Sequence, residues 1–421
     1  MSIASEIVRI KNAKEAIREQ LERYIMDPDG TKLENFISNF RPLYGDENGE
    51  WYGTQPSGSN IQFTQWDCVN TIPDLTLQCY RSGLGATFQR SNVEYIGNFT
   101  ATPYTANSTY DESRWRDIFG GATRLKYIKG IHIVVPETYT NVSIRGMFDN
   151  TTSLKEVPPI VFSGSVNPLN ITDSYQMFYK SAVETIPELV GVSLITSMDR
   201  TFYNSGIVDA ENLTKWLALT DATTKITALF QDSSKLKYVP DIYFEGSTGA
   251  AYLFRNCQKL EHVGDINMPN VTSSSYMLYD VGKESEQLQI GNIILPKCTN
   301  LNDRLMSVYH LKSLGYIECG QLTSFSIAMY VNQSPDFTEF GGWKDLGKSF
   351  TTSTVNGINV YSSYLTNINK QSILNIFNQV FDLTSAGKVA QRLNISNINS
   401  RSELTDSDIA IATNKGWTVV M

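Results

Sequence analysis

The chain has 421 residues, with 35 Lys and Arg against 43 Asp and Glu, for a formal net charge of −8. Only 19% of residues are charged, and no Lys/Arg run builds the basic stripe that a nucleic-acid surface requires, so nucleic acid is not an expected partner. No window carries the roughly 20 apolar residues that cross a bilayer, so membrane insertion is not expected either.

Residues 1–30 are expected to form a helix. Ile3, Ile7, Ile10, Lys14, Ile17, Leu21 and Tyr24 recur in alternating steps of four and three, an a/d seam with Ser2 placed to cap it. Glu6, Arg9, Lys11, Glu15, Arg18 and Glu19 keep the other faces wet. The seam suits docking on a larger assembly or self-association, through Ile3, Ile7, Ile10, Ile17 and Leu21. Packing back on the first repeat as a cap is the competing reading. The Asp27–Gly30 turn separates the helix from the rest of the chain. Residues 31–86 are turn-rich and read as a linker with a divergent first repeat or cap.

Residues 87–350 are organised by a recurring phrase. Clear copies are MFDNTTSLKEVPPI at Met147–Ile160, QMFYKSAVETIPEL at Gln176–Leu189, ALFQDSSKLKYVPDI at Ala228–Ile242 and YLFRNCQKLEHVGDI at Tyr252–Ile266. Taking the residue before each aromatic as an anchor gives Thr87, Ile118, Met147, Met177, Thr201, Leu229, Leu253 and Met277, with weaker copies at Met306 and Met329. The spacing runs from 23 to 31 residues and is most often 24. Phe88, Phe119, Phe148, Phe178, Phe202, Phe230 and Phe254 come directly after the first seven anchors; Leu278, Ser307 and Tyr330 come after the others. Repeats of this size stack into a solenoid, because one unit cannot bury its own apolar face. The Met-Phe half is expected to be a helical turn or short helix with Phe inside. The Leu-x-x-Val half is expected to be a strand, which suits β-branched residues. Length variation falls between the strand and the next Met-Phe unit.

Residues 351–421 read as a separate unit. Ile373, Ile376, Val380 and Leu383 have helical spacing, with Gly387 as the stop. AQRLNIS reads as a strand. A second helix starts at a Thr405-x-x-Asp408 box, stops at Gly416 and leads into the strand WTVV. Such an ending would close an open solenoid end. The expected fold class is therefore α/β: an irregular leucine-rich-repeat solenoid with an N-terminal helix and a C-terminal α/β cap.

Residues that carry chemistry are sparse. His132, His262 and His310 stand in no ligand-pair spacing, and no nucleotide, hydrolase or metalloprotease motif occurs. Cys68, Cys79, Cys257, Cys298 and Cys319 are scattered and read as small buried hydrophobes. No catalytic residue, metal ligand or cofactor is expected. The 22 Tyr and 19 Phe instead suggest an aromatic, hydrogen-bonding surface suited to carbohydrate or protein, although each Tyr can equally cover the core. Tyr104, Tyr110, Tyr139 and Tyr243, placed in the insertion loops, are the expected contact residues.

The phrases MF-(turn)-SLKEVPPI and LF-(turn)-KLEHVGDI resemble the BspA-like, treponemal-type leucine-rich repeats. The opening SIASEIVRIKNAKEAIREQ and the ending LTDSDIAIATNKGWTVV are similar to those of structural and fibre proteins of tailed phages from gut bacteria. BspA-like proteins of cell surfaces usually carry an export signal, and the first twenty residues here lack the apolar core of one. The resemblance implies a non-enzymatic virion protein, a tail or head fibre or appendage, made in the host cytoplasm. Its partners would be other virion proteins, a host surface glycan or protein, and further copies of itself. A bacterial surface adhesin with the same repeats, or a capsid or tail decoration protein with no receptor, are the alternatives.

Overall fold

A computed structural model describes residues 71–72, 74–79, 88, 91, 93–103, 115–246, 249–299, 301, 306–318, 320–322, 329–351, 358–359 and 365–421. The expected helix of residues 1–30, with its seam residues Ile3, Ile7, Ile10, Ile17 and Leu21, and all of residues 31–70 lie outside these. The chain is a β-solenoid of about 11 coils. Every strand pair in it is parallel, and three α-helices occur among the described residues: α1 (Leu213–Leu217), α2 (Lys370–Gln379) and α3 (Asp406–Thr413).

Two walls come from the Leu-x-x-Val half of the phrase. On the first, Thr71 pairs with Tyr95 and Tyr95 with Tyr127. Bridges Thr185–Asp209 and Asp209–Tyr238 carry it to the strands Tyr238–Val239, His262–Val263 and Leu288–Ile290. The second wall begins two or three residues later, at Ile160–Ser163, Leu189–Val190, Ile242–Tyr243 and Ile266–Asn267. One coil departs from this plan. Its NLTKWL stretch winds into α1, whose buried Trp216 donates to the Pro187 carbonyl at 2.8 Å.

The third wall corrects the helical expectation for the Met-Phe half. It is built of consecutive tight turns rather than helix. From Phe119 to Phe254, residues two before and two after the Phe have positive φ: Gln176 and Lys180 around Phe178, Arg200 and Asn204 around Phe202, Tyr252 and Asn256 around Phe254. This left-handed conformation is rare outside Gly, Asn and Asp, and it bars an α-helix. The hydrogen bonds show what holds it. Phe148 donates its amide to Met177 of the next coil at 2.8 Å, Phe178 to Thr201 at 3.0 Å, and Phe254 to Met277 at 2.9 Å. The intervening amides close turns within their own coil, as Asp149 does to Gly146 at 2.9 Å. Amides therefore alternate between neighbour and self, and none of these buried donors is stranded.

The Phe side chains occupy the interior, as expected. All seven are fully buried, and consecutive rings stack with centroids 5.1 to 5.9 Å apart and planes within 16°. Three residues after the Phe of their own coils, Ser233 donates to the Phe202 carbonyl at 2.6 Å and Cys257 to the Phe230 carbonyl at 3.1 Å. Cys257 and Cys298 are buried thiols outside any disulfide, in keeping with a packing role.

The last copies shift register. Leu278 pairs with Met306, and Met306 with Met329. Met306 and Met329 thus take the Phe position rather than the anchor position, one residue from the sequence alignment. Strands Leu278–Val281, Met306–Tyr309 and Met329–Asn332 replace the turns there. The run SVY favours extended backbone where the earlier copies carry Asn and Asp.

A polar ladder runs along the corner between the first two walls. Asp241 accepts the Asp265 amide at 2.8 Å, Asp265 the Asn292 amide at 2.7 Å, and Asn292 the Tyr316 amide at 3.0 Å. Each cap requires a glycine beside it. A Cβ at Gly264 would collide with the Asp241 carboxylate and with the Pro240–Asp241 backbone, and one at Gly291 with the Asp265 carboxylate and the Gly264–Asp265 backbone. A second such pair joins Asp74 to the Asn98 amide at 2.7 Å.

At the C-terminal end, α2 lies along the strand Glu339–Lys344. Ser372 accepts the Phe340 amide at 2.8 Å, and Asn375 donates to the Phe340 carbonyl at 3.1 Å. The expected box is present: Thr405 and Asp408 bond each other's backbone at the start of α3. The strands Gln391–Asn394 and Trp417–Val420 pair in parallel. The expected stop at Gly387 is displaced, because α2 ends at Gln379. Val380 turns to extended backbone, the Phe381 amide bonds the Leu346 carbonyl at 3.0 Å, and the Lys415 ammonium caps the end by bonding the carbonyls of Phe377, Asn378 and Val380.

Phe178→Ala should lower unfolding stability by about 3–5 kcal/mol in urea titration, because both neighbouring rings lose a stacking face. Gly291→Ala should cost about 1–3 kcal/mol by overpacking the Asp265 cap. In the same titration the Gly291→Ala cost should persist in the Asp265→Ala background, because the added Cβ also meets the backbone of Gly264 and Asp265 at 2.7 Å.

Candidate functional site

The outer faces of the walls differ in what they offer a partner. On the turn wall the aromatic groups mostly satisfy one another. The Arg145 guanidinium lies 4.5 Å from the Tyr175 ring centre, and Arg200 lies 5.8 Å from Tyr175 and 5.9 Å from Tyr203. Tyr179 stacks on Tyr203 at 5.3 Å and Tyr252 on Tyr276 at 5.6 Å. Ring faces point along the axis into the next coil, so this stripe acts chiefly to bind coil to coil, at about 0.5–1 kcal/mol per exposed cation–π pair.

Within that stripe one carboxyl is poorly solvated. Asp149 is half-buried, and its Oδ1 has no hydrogen-bond partner in the protein. Burial, with the nearby Asp117 charge adding to it, pushes its pKa up to about 6; Lys180 only partly offsets this.

The first wall is different. Its outward row holds Thr71, Tyr95 and Tyr127 in register. Glu156 stands at the same repeat position, and Thr185, Asp209, Tyr238, His262 and Gln289 continue the row. Tyr127 is 53% exposed, Tyr95 43% and Tyr238 38%. Three of the large hydrophobic side chains that face solvent therefore fall on one line of one sheet. Tyr238 and His262 stack at 5.0 Å with planes 9° apart. Cross-coil ion pairs flank the row, Lys126 with Glu94 at 2.7 Å and Lys237 with Glu261 at 2.7 Å. Beside the Tyr238–His262 stack lies an open groove of about 620 Å³.

The sequence-predicted contact residues are not brought together. Tyr104 and Tyr110 lie outside the described residues. Tyr139 is half-buried and packs against the core. Tyr243 is 58% exposed, but it sits on the second-wall strand Ile242–Tyr243 rather than in an insertion loop. Tyr95, Tyr127 and Tyr238 were missed, although a signal existed. Each immediately precedes the buried Ile or Val of its repeat, and side chains alternate across a strand, so that position must face outward.

Among the described residues no cluster of His, Cys, Asp or Glu could hold a metal ion. No helix among them is long and apolar enough to cross a membrane. Comparison with protein-family models, with curated proteins and with solved structures finds no match.

The raised Asp149 pKa has a definite sign. The folded state favours the protonated acid, so the stabilisation is full below the ordinary carboxylate pKa and is lost as pH rises through about 6. Asp149→Asn should therefore raise stability at pH 7.5 by on the order of 1–2 kcal/mol and flatten its dependence between about pH 4 and 6, in urea unfolding across a pH series.

Proposed function

We propose that this chain is a non-enzymatic structural protein of a tailed-phage virion, an appendage of head or tail that presents its solenoid for attachment to the host cell. The observation that carries the reading is the outward row of the first wall, where exposed Tyr95, Tyr127 and Tyr238 are aligned on a rigid sheet. Aromatic side chains offer large contact area at low entropy cost, which makes them the common anchors of recognition surfaces. The BspA-like character of the repeats and the phage-like ends supply the setting. The turn-wall stripe, whose ring faces are already occupied, serves the fold.

In this reading the N-terminal helix mounts the protein through Ile3, Ile7, Ile10, Ile17 and Leu21, by docking on other virion proteins or by joining copies of the chain. The unit of residues 351–421 closes the far end of the solenoid. Support for that comes from α2, whose Ser372 and Asn375 take up the backbone groups of Phe340 that a further coil would otherwise bond. Covering an open sheet edge suppresses edge-to-edge association.

Deleting residues 1–30 is expected to abolish incorporation into particles while the purified chain still adsorbs to host cells. Incorporation of the truncated chain would refute the mounting role. The double substitution Tyr95→Ala/Tyr127→Ala should lower the adsorption affinity of the purified chain at least about tenfold, the loss of about 1.4 kcal/mol or more expected of a contact anchor. Unchanged adsorption would remove this row from the receptor surface.

A further inference from the structure

We infer that the groove beside Tyr238 and His262 is a carbohydrate subsite, taking one or two units of a neutral sugar chain. The inference deepens the attachment reading and rests on it for biological meaning, though not for the chemistry. The groove volume of about 620 Å³ falls within the few-hundred to thousand Å³ range of small-molecule sites. Its walls come from three successive coils and from the KESEQ insertion that widens the third. That insertion is held in place by backbone bonds, Glu284 to the Gln258 carbonyl at 2.8 Å and Gln289 to the Glu261 carbonyl at 2.9 Å.

The lining selects the ligand class. It contains no aliphatic side chain, which disfavours lipid and the apolar face of a peptide helix. Its charged groups are two lysines against three glutamates, and the Lys237–Glu261 pair at 2.7 Å cancels one of each sign. What remains does not attract a phosphate, a sulfate or an acidic sugar. The carboxylates of Glu284 and Glu286 and the side-chain amides of Gln287 and Gln289 offer a dense set of acceptors and donors for vicinal hydroxyl groups. An aromatic platform completes the site. His262 is the one aromatic group in the lining, and its ring is backed by Tyr238 of the preceding coil at 5.0 Å, while Tyr238 itself is not part of the lining. A sugar ring is apolar on its C–H face and hydroxylated at its rim, and this combination matches both halves of the groove.

The test is saturation-transfer NMR on the full chain with the methyl glycosides of glucose, galactose and N-acetylglucosamine, and with sialic acid as the anionic probe. At least one neutral glycoside should receive saturation from the protein and sialic acid should not. Gln289→Ala and Glu286→Gln should each weaken binding of that glycoside by about fivefold or more, the size of one lost polar contact. Both positions are exposed, and an unchanged melting transition would confirm that the variants fold. Absence of transfer to every neutral glycoside would overturn the inference, as would equal transfer in both variants or preference for sialic acid. Cell adsorption measured in parallel separates the two readings. Adsorption without sugar binding overturns the groove and leaves attachment standing. Sugar binding without adsorption supports the groove and removes the attachment role.

Discussion

Everything in this structure depends on one constraint: each coil must hand half of its backbone hydrogen bonds to the next. On the first two walls this is ordinary parallel pairing. On the third it is met by turns whose amides alternate between their own coil and its neighbour. That solution fixes the distance between coils, and with it the 5.1 to 5.9 Å spacing of the stacked Phe rings. The ladder of Phe, the rows of Ser and Cys behind it and the Asp–Asn caps at the corner all arise from the same repeat. A side chain that satisfies one coil satisfies the next at the same position.

Much of this was legible in the amino-acid pattern because stacking forces identical positions to meet identical partners. The buried Phe series, the strand at Leu-x-x-Val and the capping box at Thr405 and Asp408 could all be placed from spacing alone. The local backbone of the Met-Phe unit could not. Apolar spacing there suits helix as well as consecutive turns, and positive φ falls on Gln176, Arg200 and Tyr252, residues that give no hint of it. The slip at Met306 was hidden because Met serves equally as anchor or as plug. The end of α2 was misjudged because Leu346 and Lys415, each more than thirty residues away, hold the chain there, where a local Gly was expected to stop it.

The proposed recognition surface was harder to read than the core for a physical reason. Core positions are repeated because every coil needs them, whereas a recognition surface has no such need. Tyr95, Tyr127, Tyr238 and His262 share one outward position with Glu156, Thr185, Asp209 and Gln289, so no periodic signal marks them as a group. Only the fold shows that they form a line. Their exposure contrasts with the turn wall, where arginines and tyrosines cover one another. Tyrosines of the first wall stay more exposed than those of the turn wall, although Lys126 lies 6.0 Å from the Tyr95 ring centre and His262 stacks on Tyr238.

A solenoid mounted at its N-terminal end, with the first wall free, is the central claim. Electron cryomicroscopy of the intact particle would test this most directly. It should resolve the solenoid projecting from the head or tail, with residues 1–30 at the attachment point and the row from Tyr95 to Gln289 facing solvent. Density that packs this row against other virion proteins would contradict the claim and make the chain a decoration protein; particles that lack the chain would contradict its place in a virion.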